Sequence, residues 1–155
     1  MEALNPRIRN VWLFVAVVTA AVVGSVSGAV EVMRLDTDVP VTLIIATAVL
    51  VLLGVYQLLR YRNWGFEVQD DAVYIEHGVL VRVKKVVPFV RIQHIDSRRG
   101  PVERATGLAT LVIYTAGSRG ADVSIPGLTP ERADELREKL RELAIENEES
   151  IEDAV

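Results

Sequence analysis

His94, Asp96 and Ser97 come nearest in this sequence to a base, an orienting carboxylate and a nucleophile. Acyl transfer by such a set requires the three side chains to converge, with the base in hydrogen-bond reach of the nucleophile. On a strand, residues two apart share a face and adjacent ones do not, so His94 and Asp96 point one way and Ser97 the other. The set therefore reads as a surface cluster, and no catalytic residue is assigned. His77 and His94 have no Cys company and no metal-ligand spacing with a third residue, so no metal site is expected. Gly117, Gly120 and Gly127 are scattered turn glycines without a P-loop lysine, which leaves nucleotide binding unsupported. No cofactor and no nucleic-acid partner is expected.

The second set is cationic: Arg82, Lys84, Lys85, Arg91, Arg98, Arg99 and Arg104. Arginine forks suit carboxylates and phosphates, hence a protein partner or anionic lipid. The last three arginines flank Gly100-Pro101, which reads as a turn between two strand-like runs. From Arg60 to Arg104 there are nine Lys and Arg against six Asp and Glu, whereas Gly120 to Val155 has four against eleven. The bland alternative is a solvated turn. Arginine outnumbers lysine fourteen to three in a chain of net charge −4, a bias that suits a salt-rich cytoplasm. Screening there would favour direct contacts over long-range attraction.

These residues must be positioned by what surrounds them. Val11 to Val30 is 20 residues without a charge and Val39 to Leu59 is 21 more, against the ~20 that cross a bilayer as a helix. Glu31 to Asp38 joins them as a short polar connection, giving a helical hairpin. Arg7 and Arg9 precede the first span and Arg60 and Arg62 follow the second, while the connection is acidic. The basic residues place both termini in the cytoplasm. A cleavable signal peptide is the competing reading of the first span, on the strength of Ser25 and Ser27. Ala20, Gly24 and Gly28 form a small-residue packing face on that span, with Ala46 and Gly54 available on the second. Neither span holds an Asp, Glu, Lys, Arg or His, which weighs against a transport pathway.

From Trp64 the period changes to two. Trp64, Phe66 and Val68 share a face; Val73 and Ile75 point inward while Tyr74 and Glu76 point outward. Strands are predicted over Leu80 to Val87, Arg91 to Arg98, Leu108 to Thr115 and Ala121 to Ile125, with bulges or strong curvature at Lys84-Lys85 and around His94. Trp64 reads equally as a first core residue or as an interfacial anchor. Gly107 answers a backbone need at the start of the next strand. Thr129 as N-cap, Pro130 at the first helical position and Glu131 start a helix whose apolar stripe is Ala133, Leu136, Leu140 and Leu143. Beyond Leu143 the chain is acidic and expected to fray.

The order of two spans, YRNWGFEVQDDAVYIEHGVL, VVPFVRIQHIDSRRGPVERATGLATLVIYTAG and IPGLTPERADELREKL resembles the YdbS-type, membrane-anchored bacterial pleckstrin-homology-like family. The most specific parts are P-x-x-R-I-Q, Pro88 to Gln93, and G-P-x-x-R-x-x-G, Gly100 to Gly107. The resemblance covers Val11 to Leu143 and implies a small PH-like barrel of seven strands in two sheets, closed by a C-terminal helix, with no activity attached. Six strands are legible, and the seventh is expected as a bend in one of the long ones. The organisation expected is a cytoplasmic N-terminal segment (1–10), a transmembrane hairpin (11–62), a mostly β PH-like domain (63–146) and an acidic tail (147–155). The expected role is a non-catalytic scaffold or assembly factor in the cell membrane. Its soluble domain is cytoplasmic, and its partner is the bilayer plus a membrane protein, a second PH-like protein or another copy. The alternative is an anionic lipid headgroup sensor.

Overall fold

The computed structural model describes residues 2–34, 41–116 and 122–152. Half of the expected hairpin connection (35–38), Gly117, Gly120 and the last three residues of the acidic tail lie outside them. The chain divides into two units, one of residues 9–62 and one that joins residues 1–8 to 63–155.

The first unit is a pair of helices, α1 (Pro6–Arg34) and α2 (Val41–Arg62). Each is long and apolar enough to cross a membrane. Along α1, Ala16 and Ala20 are buried, and a Cβ on Gly24 would stand 3.2 Å from the Ala46 Cβ. Close approach of this kind is what small residues permit where no hydrophobic force drives the helices together. At one end of the pair Arg60 lies 4.2 Å over the Trp12 ring and Arg9 5.9 Å over Tyr61. At the other, Glu31 accepts hydrogen bonds from the Thr42 amide, at 3.3 Å, and from its hydroxyl. The carboxylate thereby satisfies a donor that the first turn of α2 leaves free.

The second unit is α+β. Strands β1 (Glu2–Ala3), β2 (Gly65–Val68), β3 (Ala72–His77) and β4 (Val83–Pro88) form one antiparallel sheet in that order. Strands β5 (Ile92–Arg98), β6 (Ala109–Thr115) and β7 (Val123–Leu128) form the second. A short helix α3 (Pro101–Thr106) separates β5 from β6, and α4 (Pro130–Glu152) packs on β5 and β6. Val73, Ile75, Leu111, Ile113, Ile125, Leu136 and Leu140 are almost wholly buried. Each buried aliphatic side chain contributes about 1.5–3 kcal/mol. The α4 start is as its residues dictate: the Arg132 amide donates to the Thr129 hydroxyl at 3.2 Å behind Pro130. Trp64 is a core residue, edge-on to Phe66 at 6.3 Å and stacked on His77 at 6.5 Å.

Several expectations are corrected. The seventh strand is no bend in a long one: it is β1, whose Glu2 and Ala3 pair with Phe66 and Gly65. Leu4 and Ile8 follow it into the core, 2% and 7% exposed. The segment expected to stand apart is therefore part of the PH-like unit. Asn5 then caps α1, accepting the Arg7 amide at 3.0 Å, while its own amide donates to the Gly127 carbonyl at 3.0 Å. Gly127 has φ +67°, and a Cβ there would meet Ile8 at 2.8 Å. Arg132 clamps Glu2 by donating from Nε and Nη2 to its two carboxylate oxygens, at 3.0 and 2.6 Å. The hydrogen bonds to Glu2 raise the Arg132 pKa above its ordinary value, against the opposing effect of burial.

The bulge around His94 is present, as a register shift between Ile92 and His94. None occurs at Lys84-Lys85, where β4 pairs with β3 continuously from Ala72–Pro88 to His77–Val83. As an edge strand, β4 can carry two adjacent lysines without breaking its ladder. The residues after Leu143, expected to fray, continue α4 as far as Glu152.

Candidate interaction surface

His94 and Asp96 share a face, as strand alternation requires, and their side chains pair at 2.7 Å. Both are well exposed, and the His94 ring lies 5.9 Å from Tyr114. Among the described residues no group of three His, Cys, Asp or Glu is placed to hold a metal ion. A cleft of about 490 Å³ runs between β5 and α4 beside His94. Its two arginines are already engaged within the helix, Arg137 with Asp134 at 3.5 Å and Arg141 with Glu138 at 3.8 Å.

The Gly100-Pro101 element, expected as a turn, is the helix α3. Gly100 precedes Pro101 at the first helical position, and Gly107, at φ +67°, ends the helix in the left-handed conformation. Proline at a start and glycine just past an end are the ordinary punctuation of a helix. Gly107 therefore serves the helix end before it serves β6. Arg104 sits on α3 and is exposed, as is Arg99 before it. Arg98, at the end of β5, lies 5.7 Å over the Tyr114 ring and donates to its hydroxyl.

Register fixes where these groups stand in the unit. Ala3 is opposite Gly65 and Gly65 opposite Glu76, so His77 is level with Trp64. The exit of the chain toward α1, its return from α2 and the loop after His77 thus share one end of the four-stranded sheet. Arg98 is opposite Thr110, and Ala109 opposite Leu128, next to the Gly127 whose carbonyl receives Asn5. A Cβ on Gly107 would lie 3.2 Å from Arg7. Arg98, Arg99 and Arg104 therefore belong to the same end. Arg82 and Lys84 are also there, both paired with Glu76, at 3.7 and 3.5 Å. Lys85, opposite Ile75, and Arg91, whose carbonyl receives Ala116, lie away from it and line a separate cleft of about 220 Å³. The seven basic residues do not form one patch.

Sequence reasoning missed the loop between β3 and β4. Leu80 is 92% and Val81 72% exposed, more than any other large apolar side chain described, those of α1 and α2 included. Gly78 holds the loop with φ +120°, where a Cβ would lie 1.9 Å from the Val81 carbonyl oxygen. The signal available was Gly78 itself followed by three consecutive apolar residues, which a half-buried strand does not need.

In the helical unit, Ala20 is buried, Gly24 faces Ala46, and a Cβ on Gly28 would lie 3.5 Å from Thr42 Cγ2. Gly54 has nothing within 4 Å of such an atom. Gln57 carries the buried side-chain oxygen without a hydrogen-bond partner among the described residues.

The sequence profile of the family described as Bacterial PH domain matches residues 13–144, most of the chain. The chain is 38% identical over 86 residues to the UPF0699 transmembrane protein YdbS of Bacillus subtilis (strain 168), an alignment covering 56% of this chain and 52% of that protein. It is 28% identical over 82 residues to YdbT of the same organism, also a UPF0699 transmembrane protein, covering 52% of this chain and 17% of YdbT. The chain thus spans about half the length of the first relative and far less of the second. No solved structure matches it.

Proposed function

This chain belongs to the bacterial PH domain family, and from that premise we propose that it is a non-catalytic, membrane-tethered interaction module. It acts as a scaffold or assembly factor for a membrane protein, a second PH-like protein or another copy of itself. Both termini and the PH-like unit lie on the cytoplasmic face of a two-span hairpin.

The observation that carries this reading is the double attachment of the PH-like unit. Residues 2–8, the last three of them the first turn of α1, are built into it, and Asn63 and Trp64 join it directly to α2. With β1 paired to β2, the chain must return to the side it left, which two crossings accomplish and one does not. The arginines at both hairpin ends give that side as cytoplasmic. A tether at one point suffices to recruit a domain to a membrane. Attachment at two points also restricts its rotation, which suits a platform that presents a fixed face to a partner. The non-catalytic part rests on strand alternation, which separates Ser97 from His94 and Asp96.

The partner contact assigned is Arg98, Arg99 and Arg104, whose forks suit carboxylates. A tagged full chain, gently solubilised from native membranes, should co-purify with a membrane protein in fixed proportion or with a differently tagged copy. Recovery of lipid alone would remove the scaffold reading. The second reading, anionic headgroup contact, is favoured by the place of Gly107, which ends the short helix carrying Arg104 and where a Cβ would lie 3.2 Å from Arg7 in the first turn of α1.

A further inference from the structure

We propose that the β3–β4 loop, Gly78 to Arg82, inserts Leu80 and Val81 into the headgroup and acyl boundary of the membrane that the two helices cross. The proposal goes beyond both readings above, since it uses neither Arg98, Arg99 nor Arg104 and needs no protein partner.

Exposure alone would not carry it, because single apolar residues on a surface are ordinary. Leu80 and Val81 are adjacent, stand at a loop tip, and are the two most exposed large apolar residues described. The loop is also a built one. Gly78 occupies a conformation that other residues adopt only under strain, and the Val81 carbonyl fills the place of its missing side chain. The chain thus fixes the tip facing outward rather than folding it onto the core.

What covers the tip follows from register and charge. Gly65 opposite Glu76 sets the loop at the sheet end where the chain returns from α2. From the end of α2 at Arg62 to the start of β2 at Gly65 only Asn63 and Trp64 intervene, a reach of roughly 10 Å at full extension. So short a link leaves the headgroups within reach of that end of the sheet. Arg82 and Lys84 share one carboxylate, Glu76, and their side chains are 70% and 74% exposed. One carboxylate cannot neutralise two cations, so the base of the loop keeps positive charge below an apolar tip. An apolar tip over a basic collar matches the layering of an anionic leaflet, with headgroups outside and acyl chains beneath. Because the spans already supply localisation, insertion would set the orientation of the domain.

The chain contains no cysteine, so Leu80→Cys gives a unique site for an environment-sensitive fluorophore. The labelled full chain is reconstituted into vesicles of phosphatidylcholine with and without phosphatidylglycerol, and Lys139→Cys on α4 serves as the aqueous reference. Spin-labelled lipid, which reaches either orientation of the protein, should quench the Leu80→Cys label strongly and the reference label weakly. Quenching should fall in part when phosphatidylglycerol is omitted or when molar salt screens Arg82 and Lys84, and the remainder, from apolar insertion, should persist under both conditions. Val81→Asp in the Leu80→Cys background should abolish it; retained quenching would mean that the dye inserts by itself, and would overturn the proposal. A Leu80→Cys label no better quenched than the reference would also overturn it. So would a label shielded from aqueous iodide but untouched by the lipid quencher, since protein would then be the cover. Equal quenching in the two lipids would remove the role given to Arg82 and Lys84.

Discussion

Glu2 and Arg132 are joined by a two-pronged ion pair, at 2.6 and 3.0 Å, that ties the first strand to the start of the last helix. The pair is partly exposed, so its own contribution is at most about 1 kcal/mol. The apolar residues after it weigh more. Leu4→Ala should destabilise the PH-like unit by about 2–4 kcal/mol, whereas Glu2→Gln should cost under about 1 kcal/mol. Thermal unfolding of the detergent-solubilised full chain, followed by circular dichroism, measures both. Equal effects would mean that β1 is held by charge rather than by burial.

Topology is read by the accessibility of introduced cysteines. In intact cells a membrane-impermeant thiol reagent should label Thr37→Cys and spare both Ala3→Cys and Lys139→Cys. Ala3 pairs with Gly65, so the last two must agree. Labelling at one of them alone would break the link between β1 and the number of crossings.

The helix pair offers its own contrast. Gly24→Leu should weaken packing between α1 and α2 by about 1 kcal/mol or more, because even a Cβ there meets Ala46 at 3.2 Å. Gly54→Leu should be neutral within this pair, since nothing lies within 4 Å. Crosslinking between cysteines placed on the two helices reports the difference. A loss at Gly54 would reveal contact with another chain.

Gln57 gives a prediction of opposite sign. Its buried side-chain oxygen has no partner among the described residues, so Gln57→Leu should leave stability unchanged or raise it by roughly 1 kcal/mol. Detergent-resistance assays test this. A marked loss would show that the amide is satisfied in the membrane by a second copy, which would support self-association.

What the residues disclosed in advance was the local part of the fold. Val73 and Ile75 alternate with Tyr74 and Glu76, and Thr129-Pro130 announces α4, because each signal is complete within a few positions. β1 was hidden for the opposite reason: Glu2 and Ala3 are too few to show a period, and their partners Phe66 and Gly65 lie beyond both spans. Pro101 was ambiguous because proline begins turns and helices alike, and Gly107 decides between them only once its φ of +67° is known. Leu80 and Val81 looked like the start of a strand, and only the continuous pairing from Val83 onward shows that they precede it. The grouping of basic residues depended on register between strands distant in sequence. That is why Arg98 and Arg82 gather at one end while Arg91 does not.

The most direct test of the scaffold reading is co-purification with Arg98, Arg99 and Arg104 changed together to Gln in the tagged full chain. The three side chains are exposed, and Arg98 rests on Tyr114, so unfolding temperature should move little. The account predicts a folded, membrane-inserted protein that no longer recovers its partner. Undiminished recovery of the partner by the same variant would contradict it.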